Sequence, residues 1–214
     1  MDDRVVSVRR AYDSAAVAAR YDAARFSSAP TRLYAARQRQ LVRRCLARFG
    51  RVARLLDLPC GTGRLLPLAA DAADFVVGVD AAPAMLARAL RRSAAGSGAL
   101  CAGDATELPL ATEAVDVVLC VRFLHLLPPA ATVAVLSEIT RVARRGAIVA
   151  TLVSYPLGPV GNLRRRLLRR PLVLERPPSL AEWTSRCAAA GLTLAESHRV
   201  WPGVSSDTVM LLRR

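Results

Sequence analysis

The segment that constrains this chain most is Leu55-Leu56-Asp57-Leu58-Pro59-Cys60-Gly61-Thr62-Gly63-Arg64. The apolar run over 52–58 predicts a buried strand. That strand leads straight into a Gly-x-Gly turn, and residues 65–73 follow with helical composition. A strand, a glycine turn and a helix gather backbone N–H groups around one crevice, the corner at which wound α/β sheets hold nucleotide-like ligands. Two more acids stand at matching places. Asp80 ends Phe75-Val76-Val77-Gly78-Val79, and Asp104 follows Ala99-Leu100-Cys101-Ala102-Gly103. Three successive strands are thus expected to end in one carboxylate each.

The rest of the chain continues the alternation. Residues 11–49 predict two helices, with Ser14 capping the first and Gly50 ending the second. Further strands are expected over 75–79, 99–103, 115–121 and 147–153. The run Val115–Val121 is broken by Asp116 alone, as suits a strand covered on both faces. One helix opens at Pro83, a favourable first position, and runs towards Gly96. Another opens at Pro128 and Pro129, carries Val133, Leu136, Ile139 and Val142 on one stripe, and stops at Gly146. Ser179-Leu180-Ala181-Glu182 is a capping box for a helix ending at Gly191. Leu192–Val200 and Thr208–Leu212 are then two strands joined through Trp201-Pro202-Gly203.

The three acid-tipped strand ends resemble the class I S-adenosylmethionine-dependent methyltransferases. The resemblance covers about residues 50–214. It implies an α/β fold: a doubly wound, mostly parallel seven-stranded sheet with an antiparallel terminal hairpin. Residues 1–49 would form N-terminal cap helices, and residues 50–214 the methyltransferase domain. It also implies S-adenosyl-L-methionine as cofactor. Asp57 with Gly61 and Gly63 would hold the amino-acid part, Asp80 the ribose hydroxyls, and Asp104 with Ala105 the adenine. Pro59, Cys60, Ala81, Met85, Gly103, Cys120 and Val121 complete the expected wall. Asp80 lies 19 residues beyond Gly61, and a carboxylate there can accept both hydrogen bonds of a ribose diol. Pro59 stands where the family pattern has glycine. Proline keeps its carbonyl and loses its N–H, which is harmless at negative φ and damaging where positive φ is needed.

A dinucleotide-binding dehydrogenase is the competing reading. Its fingerprint has a third glycine three residues after the second, and Leu66 occupies that place. An acid ahead of the turn also repels a pyrophosphate and suits a ligand bearing an ammonium and a sulfonium. The net charge of +14 raises the question of nucleic acid. All 31 basic residues are arginine, however, which with the abundant alanine reads as GC-rich coding bias rather than a nucleic-acid surface. The Asp/Asn-Pro-Pro-aromatic motif of DNA, RNA and glutamine amino-methylating enzymes is absent after the fourth strand. Cysteines 45, 60, 101, 120 and 187 form no C-x-x-C pair, pointing to reduced thiols in a cytoplasmic protein without a metal site. No apolar run of about 18 residues is present, so no membrane span is expected, and no secretory signal is expected either.

Methyl transfer from a sulfonium mainly requires that the nucleophile be placed and water excluded. A base is needed only for a hydroxyl or an acidic carbon. His125, just past the fourth strand in Cys120–Leu127, is the candidate catalytic base; packing near the cofactor is its other reading. Arg122 either binds an anionic group of the acceptor or caps the strand. Tyr12-Asp13 and Tyr21-Asp22-Ala23-Ala24-Arg25-Phe26 resemble the opening helix of the quinone-biosynthesis and small-molecule branch. That implies Tyr21 in the pocket and Arg25 on the methionine carboxylate; a solvated helix edge is the alternative. Residues 162–171 read as a lid over the substrate mouth, as a membrane-surface element, or as a plain surface helix. The function expected is therefore methylation of a small-molecule acceptor. The alternatives are a quinone or lipid acceptor at a membrane surface, and a cofactor-binding regulator without catalysis.

Overall fold

Ser14 sits ahead of an alanine-rich run, and its hydroxyl accepts from the Val17 N–H at 3.1 Å, opening α1 (Ala15–Phe26). Ser28 caps α2 (Ala29–Ala47) in the same way, with Pro30 in the first turn. This computed structural model describes residues 14–93, 98–155 and 177–214, and of residues 22–26 only the backbone. After Gly50 turns the chain at φ 65°, strands and helices alternate. They are β1 (Val52–Asp57), α3 (Leu66–Ala70), β2 (Ala73–Asp80), α4 (Pro83–Ala89), β3 (Gly98–Ala102) and β4 (Val115–Val121). A 3-10 turn at Leu124–Leu126 leads to α5 (Pro129–Val142), β5 (Ala143–Leu152), α6 (Leu180–Ala189), β6 (Thr193–Arg199) and β7 (Asp207–Arg213).

The seven strands form one sheet in the order β3-β2-β1-β4-β5-β7-β6. The first five pair parallel, and β7 runs antiparallel between β5 and β6. The chain winds outward from β1 to β3 and then returns to β4 on the other side of β1. Strand order therefore reverses at β1 and β4, and a crevice opens beyond their carboxyl ends. The one charge inside β4 has a structural use. The Asp116 carboxylate accepts the N–H groups of Ala53 at 2.7 Å and Arg54 at 3.0 Å, stitching β4 to the start of β1.

Both faces of the sheet are covered, with the alternation that strand geometry dictates. Val118 and Cys120 of β4 belong to the core under α5 and α6, whereas Val117 and Leu119 join the core with Leu41, Val42, Cys45 and Leu46 of α2. Thus α2 contributes to the main core. The fully buried Trp183 donates its indole N–H to the Leu152 carbonyl at 3.0 Å, fixing α6 on the end of β5. The expected capping box is present: Ser179 accepts from Glu182 N–H at 3.2 Å, and Glu182 from Ser179 N–H at 2.6 Å.

Three helix boundaries and one buried stripe depart from the sequence reading. The helix expected over 65–73 shrinks to five residues, and β2 starts at Ala73. The helix from Pro83 ends at Ala89, and its expected limit at Gly96 lies outside the described residues. In α5 the buried stripe is Thr132, Val135, Leu136, Ile139 and Val142, with Val133 only half-buried. Gly146 does not stop that helix. It sits inside β5 at φ 136°, where any Cβ would collide with the Leu212 carbonyl, next to an irregularity in the pairing with β4. Residues 162–171, read as a lid, lie outside the described residues.

Candidate functional site

The crevice beyond β1 and β4 is an open cleft assembled from four strand ends and α1. The β1 turn supplies Asp57, Leu58, Pro59, Cys60, Gly61, Thr62, Arg64 and Leu65. The end of β2 and start of α4 give Asp80, Ala81, Ala82 and Met85, and the end of β3 gives Gly103, Asp104 and Ala105. From β4 come Val121, Arg122, Phe123, Leu126 and Leu127, and from α1 comes Tyr21.

The turn itself divides its two glycines between different tasks. Gly61 and Gly63 hold φ 54° and 76°, conformations that favour residues without a Cβ. A Cβ on Gly61 would meet no protein atom within 4 Å, so it would project into open space beside the cleft. A Cβ on Gly63 would lie 2.8 Å from the Ala89 Cα, so Gly63 is small to let α4 approach. Pro59 is not at positive φ, so its replacement of glycine is of the harmless kind. Asp80 pins the turn: one carboxylate oxygen accepts from Gly61 N–H at 2.8 Å and the other from Ala82 N–H at 2.9 Å. Asp104 holds its own turn, accepting the Thr106 N–H at 2.8 Å and hydroxyl at 2.7 Å.

Asp57 is 1% exposed, and its Oδ2 has no hydrogen-bond partner. Burial, reinforced by the charge of Asp80 and opposed by Arg64, pushes its carboxyl up to about 8. Burial also raises Asp80, although the backbone N–H groups of Ala82, Gly61 and Ala81 pull the other way. Burial keeps the Cys60 and Cys120 thiols protonated, with nearby carboxylates adding to the effect, so neither is a nucleophile at neutral pH.

At the β4 end the character changes. Arg122 sits at φ 61°, a costly conformation for a long side chain. Its Nη1 donates to the Tyr34 hydroxyl at 3.3 Å and lies 3.5 Å from Asp207 Oδ1. Tyr34 also accepts from Gln38 Nε2 at 3.0 Å, and burial followed by Asp207 keeps its phenol protonated. Burial alone would lower the Arg122 guanidinium, but Tyr34 and Asp207 hold it charged.

Most of the residues singled out from the sequence meet in this cleft: Tyr21, Asp57, Pro59, Cys60, Gly61, Asp80, Ala81, Met85, Gly103, Asp104, Ala105 and Val121. Three do not line it. Gly63 packs on α4. Cys120 is fully buried in the core under α5 and α6, on the face of β4 opposite Val121. His125 is buried in the 3-10 turn. The side chain of Arg25 lies outside the described residues. Sequence reasoning missed Leu58, Thr62, Arg64, Leu65, Ala82, Phe123, Leu126 and Leu127 as cleft residues. Those beside the glycine turn were open to inference from its flanks; the β4 residues depended on a 3-10 turn that no local signal announced.

Comparison with known proteins agrees with this architecture. The profile of a methyltransferase domain family matches residues 55–146. Demethylmenaquinone methyltransferase of Beutenbergia cavernae is 37% identical over 151 residues, covering 70% of this chain and 59% of that protein. Its counterpart from Renibacterium salmoninarum is 32% identical over 151 residues, covering 70% and 60%. The chain therefore spans about three-fifths of the length of these curated relatives. Magnesium protoporphyrin IX methyltransferase of Synechocystis PCC 6803 shares the fold with a TM-score of 0.75 at 18% identity, over 98% of this chain and 99% of that one. With its acid-tipped parallel strands, glycine turn and antiparallel terminal hairpin, the chain has the fold of the class I S-adenosylmethionine-dependent methyltransferases and carries the sequence of a methyltransferase domain over residues 55–146.

Proposed function

We propose that this protein transfers a methyl group from S-adenosylmethionine to a small-molecule acceptor. The observation that carries the reading is Asp57: a buried carboxylate at the sheet's switch point, with one oxygen lacking any partner, facing a cleft. Leaving such a group uncompensated is costly, and a cationic ligand removes the cost. The residues present fit the cofactor. Asp57 with Gly61 would hold its amino-acid part, and Arg64 is a cation in reach of its carboxylate. Asp80 would hold the ribose, and Asp104 with Ala105 the adenine. Pro59, Cys60, Ala81, Met85, Gly103 and Val121 would wall it, with Tyr21 closing over from α1. Arg25 remains part of the proposal on its place in the sequence.

When bound, the cofactor supplies a methyl carbon activated by its sulfonium, so the protein's work is placement and exclusion of water. His125, outside the cleft lining, is assigned no base role. Phe123, Leu126 and Leu127 give the acceptor end an apolar wall. Quinone methylation, the activity named for the two curated relatives, is the second reading. Peripheral contact with a membrane would accompany it; no helix among the described residues is long and apolar enough to cross one. A cytoplasmic location belongs to the same proposal. The test is incubation with S-adenosylmethionine and a panel of hydroxyl, carboxylate, amine and quinol acceptors, with chromatographic measurement of S-adenosylhomocysteine. Acceptor-dependent product supports the enzyme; cofactor binding without turnover on any acceptor favours the regulator.

A further inference from the structure

We infer that the acceptor is bound as an oxyanion, a carboxylate or an ionised acidic hydroxyl, with Arg122 as its counter-ion. This rests on the methyltransferase reading above and names the substrate class of the same cleft. The cleft is polar in its charge. Asp57, Asp80 and Asp104 line the end built by β1 to β3, and the β4 end carries Arg122 among apolar side chains.

Arg122 is only partly used by the protein. Its hydrogen bonds to Asp207 and Tyr34 both run through Nη1, at 3.5 Å and 3.3 Å, its guanidinium lies 5.8 Å from the centre of the Tyr34 ring, and its buried Nε has no acceptor. Arg141 in the same molecule shows what a fully employed guanidinium looks like. It grips Glu138 through Nε and Nη2 at 2.7 Å each and reaches two backbone carbonyls besides. Arg122 lines the cleft with hydrogen bonds from Nη1 alone among the described residues, and such a guanidinium matches the planar, bidentate geometry of a carboxylate and serves a phenolate as well. Tyr34, kept protonated, does not neutralise the charge.

Among the described cleft residues at this end there is no Asp, Glu or His. An acceptor needing a base finds none among these described lining residues. One that arrives ionised, or whose hydroxyl is acidified by a neighbouring cation, needs none. A cationic amine is repelled.

The experiment saturates the protein with S-adenosylhomocysteine, followed by calorimetry, and then titrates three probes: 4-nitrophenol, benzoate and benzylamine. Bound 4-nitrophenol should ionise at a pH lowered by about one unit, or benzoate should bind, and benzylamine should not. A shift of the phenol assigns an acidic hydroxyl as the source; binding of benzoate alone assigns a carboxylate. Arg122→Gln should weaken the responding anion by roughly tenfold or more, and Arg122→Lys should restore part of it. Asp207→Asn, which removes the competing carboxylate, should strengthen anion binding severalfold, a sign that a merely structural role for Arg122 would not produce. That variant also carries the test should Arg122→Gln fail to fold. Anion binding unchanged in Asp207→Asn, or 4-nitrophenol taken up as the neutral phenol, overturns the inference. S-adenosylhomocysteine bound without any anion response overturns this inference alone, whereas no binding of S-adenosylhomocysteine overturns the methyltransferase reading beneath it.

Discussion

Replacing Asp57 by asparagine separates the two consequences of burying an acid where a cation is meant to bind. In the ligand-free protein the Asp57 carboxyl is raised from 3.8 to about 8, chiefly by burial. A folded-state value above the unfolded one means that the fold favours the protonated form. Its contribution to stability is complete below the unfolded value and is lost as pH rises towards about 8. Each pKa unit corresponds to about 1.36 kcal/mol, so the loss across that window is on the order of 6 kcal/mol at most. The cofactor's ammonium and sulfonium select the ionised form. Its affinity should therefore rise about tenfold per pH unit below about 8 and level off above it, with close to one proton released on binding. Calorimetry of S-adenosylhomocysteine in buffers of different ionisation enthalpy counts that proton, and thermal melting of the free protein follows stability. Asp57→Asn should melt higher than the parent at alkaline pH, bind the cofactor product at least about tenfold more weakly, and lose the pH dependence. A parent affinity that is flat between about pH 6 and pH 8, or full affinity in Asp57→Asn, would refute this reasoning.

Other substitutions discriminate roles within the same turn. Gly61→Ala should cost only about 1–2 kcal/mol of stability, from its positive φ, yet strongly weaken cofactor binding because the new methyl enters open space beside the cleft. Gly63→Ala should do the reverse, losing roughly 3 kcal/mol in denaturant titration as α4 is pushed away. Asp80→Ala should lower cofactor affinity and also destabilise the free protein by about 2–4 kcal/mol, since two N–H groups lose their carboxylate. Glu138→Gln should cost about 1 kcal/mol; the Arg141 guanidinium holds Glu138 below its ordinary value, so this contribution is present at neutral pH and lost on acidification, and melting against pH should show the parent losing it while the variant does not.

The sheet was legible in the sequence because its parallel strands are written as apolar runs, the first three closed here by an acid. Turn and helix boundaries were less so. Gly146 reads as a helix stop, since glycine is the commonest one, yet its use is to let β7 pass close to β5, a contact between residues 66 positions apart in sequence, Gly146 and Leu212. Gly63 matched a ligand-binding pattern while being required by Ala89. The sequence offers Asp80 as a candidate ligand for ribose, but its hold on Gly61 shows only in three dimensions. His125 drew attention by its place after β4, and the 3-10 turn that buries it left no local mark. Arg122 was seen, but its partners Tyr34 and Asp207 lie 88 and 85 residues away. Long-range pairing of that kind has no period to reveal it.

The central claim, that the acid-tipped cleft is built for a cationic nucleoside rather than a pyrophosphate, is tested most directly by titrating the protein calorimetrically with S-adenosylmethionine and with NAD in the same buffer. Saturable binding of one S-adenosylmethionine per chain, weakened at least about tenfold by Asp57→Asn and matched by no heat from NAD, is the expected result. Tight NAD binding with no response to S-adenosylmethionine would contradict it.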